Sequence, residues 1–233
     1  MSAATVLQQD HDDLEYIIVD GGCDEKTREA MDRIEEKMQQ RSGSLVRISE
    51  PDEGLYDALN KGILHASGDL IGVMCDRFAD KSVLSRMADI VEQEGTDGVH
   101  GDLDYVDGER TVRKWRMGQG KLQSGWMPGH PTLYLKKEIY ETFGTYRTDL
   151  RIAADYEFMI RVLKDGKVRL SYLPQVLVHM QHGQGSTSTG GLKNYLHSFD
   201  EGRRALAENG MPHPFTTTLM RSARVAAQFI RKT

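Results

Sequence analysis

The sequence has little of what would assign a protein to a class at sight. Its 233 residues hold two cysteines, Cys23 and Cys75, too few for a disulfide framework or a finger-type metal site. A reducing, cytoplasmic setting is therefore the default expectation. No apolar run approaches the roughly 20 residues needed to cross a bilayer, and the first residues lack the layout of a signal peptide. Net charge is only -5, which excludes the broad basic footprint of a nucleic-acid binder. There is no internal repeat and no low-complexity tract. The glycines from Gly183 to Gly185 have no Lys-Ser/Thr behind them in register, which argues against a P-loop nucleotide hydrolase. What remains is ordinary globular composition, 39% hydrophobic and 28% charged, enough for one substantial core.

The stretch with the clearest chemistry runs from Ile152 to Arg161. It reads as the entry to a buried helix that continues to Leu163 and stops at Asp165-Gly166. Asp155 and Glu157 fall in its first turn, where free N–H groups and the helix dipole favour negative charge. Both acids are explained by that alone. Ala153-Ala154 adds a second reading, because two small side chains leave room for a substrate hydroxyl to approach Asp155, a candidate general base.

Along the chain, apolar β-branched runs at Leu14–Val19, Ser44–Ile48 and Leu70–Met74 alternate with helical patterns at Ser2–Gln9, Thr27–Gln40, Leu55–Ala66 and Ser82–Gln93. This alternation predicts an α/β domain with a mostly parallel sheet flanked by helices. Asp20-Gly21-Gly22 closes the first strand at the end where such sheets bind ligands. Asp57 and Asn60 share a helix face, with Lys61 beside them. Val83, Leu84, Met87 and Ile90 form a core stripe. Asp102 and Asp104 share a strand face, with Asp104 and Asp107 expected toward solvent. An irregular segment from Arg113 to Met127 carries Trp115 and Trp126, each either a sugar platform or a pin for its loop. Further on, Lys136–Phe143 reads as a helix, and Val168–Tyr172 and Val176–Met180 as two strands. Helices broken near Gly210–Pro214 end the chain, and Leu219, Met220, Val225, Phe229 and Ile230 with Arg221, Arg224, Arg231 and Lys232 give the last one a basic amphipathic pattern, which either docks its apolar face on the body or lies on a membrane surface.

Tyr16–Gly22, Ser49–Gly62, Gly101-Asp102, His130-Pro131-Thr132 and Ala154–Glu157 follow one another as they do in family-2 glycosyltransferases, inverting enzymes of the GT-A fold, and the chain resembles that family from about Val6 to Ser188. The resemblance implies a nucleotide-sugar donor, usually uridine-linked, and a glycan or lipid-linked hydroxyl acceptor. It implies that Asp155 deprotonates the acceptor and that Glu157 is a second catalytic residue, orienting the site or acceptor, that Asp20, Gly21, Gly22, Asp57, Asn60 and Lys61 line the donor pocket, and that Asp102, His130 and Trp126 border the acceptor or the pocket. Relatives carry an Asp-X-Asp motif for Mn²⁺ or Mg²⁺ after the third strand; here Asp76 and Arg77 stand there, so Asp76 is the one expected metal ligand and Arg77 a partial substitute for the cation. The resemblance also implies a first strand, between Leu14–Val19 and Leu70–Met74, that is missing here. The chain divides on this reading into a shortened GT-A domain (1–190) and a helical tail (191–233), with peripheral contact at the inner membrane face through the tail. A catalytically silent binding subunit is the competing reading.

Overall fold

The computed structural model describes residues 2–41, 43–74, 76–183 and 191–230. Cys75 and residues 184–190 lie outside them, and so does all but Gly183 of the polar segment Gly183–Ser188, which the family resemblance implies closes over the donor. The first half winds as the alternation predicts. Helix α1 (Ser2–Leu7) leads to β1 (Leu14–Asp20), α2 (Glu25–Met38) to β2 (Gly43–Ser49), and α3 (Leu55–His65) to β3 (Leu70–Gly72). The short β4 (Arg77–Phe78) and α4 (Val83–Glu94) follow. Asp24 caps α2 by accepting the Thr27 N–H at 2.8 Å, the cap its position predicts.

Among the described residues the strands form two sheets, the parallel pair β1–β2 and a mixed six-stranded sheet, which corrects the expectation of one mostly parallel sheet. In the six-stranded sheet only β5 (Gly98–Asp107) and β8 (Leu170–Gln181), among the described residues, run parallel. Antiparallel pairs join β5 to β6 (Arg110–Trp115), β5 to β7 (Tyr134–Lys136), β3 to β7 and β4 to β8. The cause is local. Parallel neighbours need a long crossover, whereas Gly108 at φ 62° lets two residues turn β5 directly into β6. Part of the segment expected to be irregular is thus a strand. The two strands expected around Leu173-Pro174 are one, β8, whose register slips where Gly101 faces Leu173 and Asp102 faces Val176. The slip leaves Pro174 in a bulge, where its missing donor costs no ladder bond.

Helix α5 (Lys137–Phe143), α6 (Ala154–Leu163) and α7 (Gly191–Glu208) cover one face of the sheet with α3. Phe158, Ile160, Leu135, Ala205 and Leu206 are fully buried in that layer, so α7 contributes to the central core. The other layer sets α1 and α4 against β5 and β8, through Val6, Met87, Leu103 and Leu177. Helix α8 (Pro214–Ile230) docks through polar residues: Thr217 and Thr218 are buried, Arg221 lies over the Tyr156 ring at 4.2 Å and Arg224 donates to the Ser124 carbonyl at 2.8 Å. Phe215, Leu219 and Met220 face outward. Arg221 and Arg224 of the expected basic face are therefore turned onto the body, while Arg231 and Lys232 lie outside the described residues. No described helix is long and apolar enough to cross a membrane.

His100 on β5 has no exposure and no hydrogen-bond partner on either ring nitrogen among the described residues. It lies between Trp126 and Tyr172, and burial lowers its pKa to about 4. The folded state therefore excludes a proton that the unfolded chain takes up near pH 6.5. Stability from this residue is complete above that pH and falls by about 1.4 kcal/mol per pH unit as pH drops toward 4. Urea denaturation at pH 7 and pH 5 is expected to show a smaller acid loss in His100→Phe than in the parent. Equal losses would assign acid sensitivity to other groups.

Candidate active site

Asp155 opens helix α6 behind the small pair Ala153-Ala154, both almost fully buried. Its Oδ1 accepts the Tyr156 N–H at 2.7 Å and faces the Tyr56 hydroxyl at 3.4 Å. Its other oxygen has no partner among the described residues, and the residue is half-buried. A carboxylate with one oxygen fixed and the other free is arranged to take a proton from an approaching group. Tyr56 donates its shorter hydrogen bond, 2.9 Å, to the Ile152 carbonyl. Burial first, and then the Asp155 charge, push the Tyr56 phenol up, so it remains a donor.

The backbone leading into α6 is held from a third element. Glu201 of α7 accepts the N–H groups of Arg151, Ile152 and Ala153 at 3.2, 2.9 and 2.9 Å. Both sides of residue 152 are thus fixed, the carbonyl by α3 and the N–H by α7. Sequence reading missed Glu201 because nothing local links it to a segment some 50 residues away. Tyr56 had a visible signal, its place in the Ser49–Gly62 motif. His130 completes this corner: its Nε2 lies 2.8 Å from the Tyr146 hydroxyl, and burial lowers its pKa against the opposing pull of Asp155. His130 lies in a short 3-10 turn, His130–Thr132, just ahead of β7.

Glu157 is not part of this corner. At 2% exposure it pairs with Arg161 at 2.9 Å and accepts from Asn209 at 3.1 Å. Arg161 in turn donates to the carbonyls of Phe143 and Thr145. Two helical residues apart is about 200°, so Asp155 and Glu157 point to opposite sides of α6. Trp126 is also elsewhere. Its Nε1 donates to the Met117 carbonyl at 3.0 Å, and it lines a cavity of about 440 Å³ with Leu163 at the far end of α6. That end is about 12 Å along the axis from Asp155.

The expected donor-pocket residues gather at the C-terminal end of β1, with most of their polar atoms engaged within the protein. Asp20 accepts the N–H groups of Gly22 and Cys23 at 2.9 and 2.7 Å and the Ser49 hydroxyl at 3.1 Å. Hydrogen bonds from Cys23 and Gly22 hold its carboxyl well below the usual range. Gly21 leaves room for the Asp52 carboxylate, whose Oδ2 would lie 1.8 Å from a Cβ there. Asp57 accepts the Glu53 N–H at 3.0 Å, a contact that lowers its pKa, and pairs with Lys61. Lys61 points to the Pro51 carbonyl at 2.6 Å and to Glu50 at 3.2 Å, tying down the turn before α3. Asn60 bonds both backbone groups of Tyr146, at 2.8 and 2.9 Å, and so joins α3 to the His130 corner.

Asp102 is buried, accepting the Met117 N–H at 2.9 Å and the Tyr172 hydroxyl at 2.8 Å. Asp104 is also buried, at 6% exposure, against Arg116 at 2.6 Å, which corrects its expected solvent position. The chain after β6 brings Arg116 over the face that both acids share. A metal fits poorly at Asp76. One of its oxygens accepts the Gln181 N–H, Arg77 is its ion-pair neighbour at 4.0 Å, and no cluster of three metal-ligating side chains occurs among the described residues.

A wound first half and a mixed second half give the architecture of the GT-A fold. Solved structures share this architecture: S. aureus TarS 1–349 in complex with UDP-GlcNAc aligns with TM-score 0.71 at 14% identity, over 99% of this chain and 68% of that one. GalNAc-T7 with UDP, GalNAc and Mn²⁺ aligns at TM-score 0.57 and 14% identity, over 98% of this chain and 52% of that one. The profile of Glycosyl transferase family 2 matches residues 2–164, and the chain belongs to that family. It is 28% identical over 165 residues to an uncharacterized glycosyltransferase of Mycobacterium tuberculosis (strain CDC 1551 / Oshkosh), covering 64% of this chain and 56% of that protein. It is 25% identical over 190 residues to a PGL/p-HBAD biosynthesis glycosyltransferase of Mycobacterium bovis (strain BCG / Pasteur 1173P2), covering 79% and 72%. The chain thus spans little more than half the length of the first of these relatives.

Proposed function

We propose that this chain transfers a sugar from a nucleotide-diphospho-sugar to a hydroxyl of a glycan or lipid-linked acceptor, with inversion. The observation that carries this reading is the Asp155 carboxylate, fixed through one oxygen and free at the other. In the proposed reaction the acceptor O–H gives its proton to that free oxygen. The acceptor oxygen bonds to the anomeric carbon from the face opposite the leaving group, and the bond to the diphosphate breaks, releasing the nucleoside diphosphate. A uridine donor is favoured by the fold's likeness to TarS, whose structures include UDP and UDP-GlcNAc. The direct test is a screen of nucleotide sugars by thermal shift, followed by NMR of the product's anomeric configuration. A retained configuration would overturn the reading.

A divalent cation, when bound, neutralises a departing diphosphate. The donor set at Asp76 does not fit one, so no step is assigned to it. Arg77, whose guanidinium is partly exposed and also contacts the Gly108 carbonyl, is the cation this chain offers in that position. UDP binding and transfer are therefore expected to persist in EDTA. Arg77→Ala is expected to weaken UDP by about tenfold, the loss of one charge-assisted contact. Titration calorimetry with and without Mn²⁺ checks both, and binding that requires Mn²⁺ would return the role to a metal. The inward engagement of Lys61 and Asn60 favours a second reading, a silent binding subunit. Absence of UDP binding under either condition would support it.

A further inference from the structure

Asp155 does not line the cavity of about 440 Å³ beside Trp126. Three stretches meet around that cavity: the chain after β6, the end of α6 with the turn behind it, and the first residues of β5 and β8. Its polarity is graded. Gln119, Lys121 and Asp165 stand exposed at the mouth, whereas Trp126, Leu163 and Leu170 are half-buried and Leu122 is buried. His100 is the least exposed of the lining residues, with no exposure at all, and neither of its ring nitrogens has a partner among the described residues. Buried polar groups are almost always paired, so this imidazole calls for a partner from outside the chain. A buried water would need two to four polar neighbours of its own. The rings that flank His100 offer none, because Trp126 Nε1 is bonded to Met117 and the Tyr172 hydroxyl to Asp102.

The lining specifies the chemistry of a ligand. Leucines and an indole favour a flat, apolar body of ring size. The buried end of that body must suit His100, which is neutral near pH 7 because burial lowers its pKa to about 4. A neutral imidazole presents one N–H and one bare nitrogen. A hydroxyl fits either, since it both donates and accepts. A carboxylate at the same depth would give up its hydration for a single neutral N–H, and an ammonium for a single bare nitrogen. Lys121 does not reverse this, because its charge sits at the exposed mouth where water and salt screen it. The place also separates such a ligand from the acceptor. It lies at the far end of α6, about 12 Å along the axis from Asp155, beyond reach of that carboxylate.

We propose that this cavity is a second ligand site, which takes a small uncharged ring of the phenol class with its hydroxyl bonded to His100. The site is independent of sugar transfer and needs neither Asp155 nor a nucleotide. Titration of phenol into the 233-residue protein, followed at the indole N–H resonance of Trp126, tests it, with toluene and benzoate as comparisons. Phenol is expected to bind about tenfold more tightly than toluene, the effect of one hydrogen bond to an otherwise unpaired buried group. Benzoate is expected to bind more weakly than phenol. His100→Phe is expected to bring the affinity for phenol down to that for toluene, which ties the preference to the imidazole. Equal binding of phenol and toluene by the parent would overturn the proposal, and so would an indole resonance that none of the three moves. Tighter binding of benzoate would replace the hydroxyl with an anion and overturn it as well. A preference for phenol that persists in His100→Phe would place the hydroxyl elsewhere. If that variant fails to fold, the comparison of the three probes in the parent decides alone.

Discussion

Asp155→Asn is expected to lower kcat by about 10²- to 10⁴-fold, the usual worth of a positioned proton acceptor, with little change in donor affinity or Tm. The amide oxygen can keep the Tyr156 N–H contact, so the start of α6 is preserved. What is lost is the proton-accepting capacity of the second oxygen. If this residue is the base, kcat and kcat/KM fall together, because the interaction is made only in the transition state. A rise in KM at constant kcat would make Asp155 a binding group. Turnover close to that of the parent would place the base elsewhere.

Glu157→Ala is expected to have the opposite signature, a large loss of stability with donor binding retained wherever the protein is still folded. Glu157 and Arg161 form a buried pair in which the carboxylate also holds Asn209. Removing one partner leaves the guanidinium among the Phe143 and Thr145 carbonyls without its counter-charge, at a cost of about 3 kcal/mol. For a chain of this size that corresponds to a fall in Tm of about 10 °C. Glu157→Gln keeps the shape and one acceptor oxygen, so its loss should be smaller. An unchanged Tm accompanied by a large drop in kcat would return Glu157 to the reacting groups. Scanning calorimetry with the transfer assay separates the two.

The sequence by itself determined most of the local structure. The helices of the first half end within two residues of where period and capping place them, because 3.6-residue spacing and a cap such as Asp24 are written into adjacent positions. The turn at Gly21-Gly22 and the start of α6 at Ala154 were legible for the same reason. Helical rotation alone separates Asp155 from Glu157, and the expectation that placed both at the reacting site overlooked it. Only the tertiary structure decided what each polar group does. Lys61 bonds the turn before its own helix, Asn60 bonds Tyr146, and Glu201 reaches the backbone at residue 152. Two of these three pairings join positions about 50 or more apart, and no local pattern encodes them. The mixed sheet and the outward apolar side of α8 have the same origin. Which edges meet, and which face is covered, is set by the packing of whole layers, where burial and backbone pairing outweigh the preferences of any one segment.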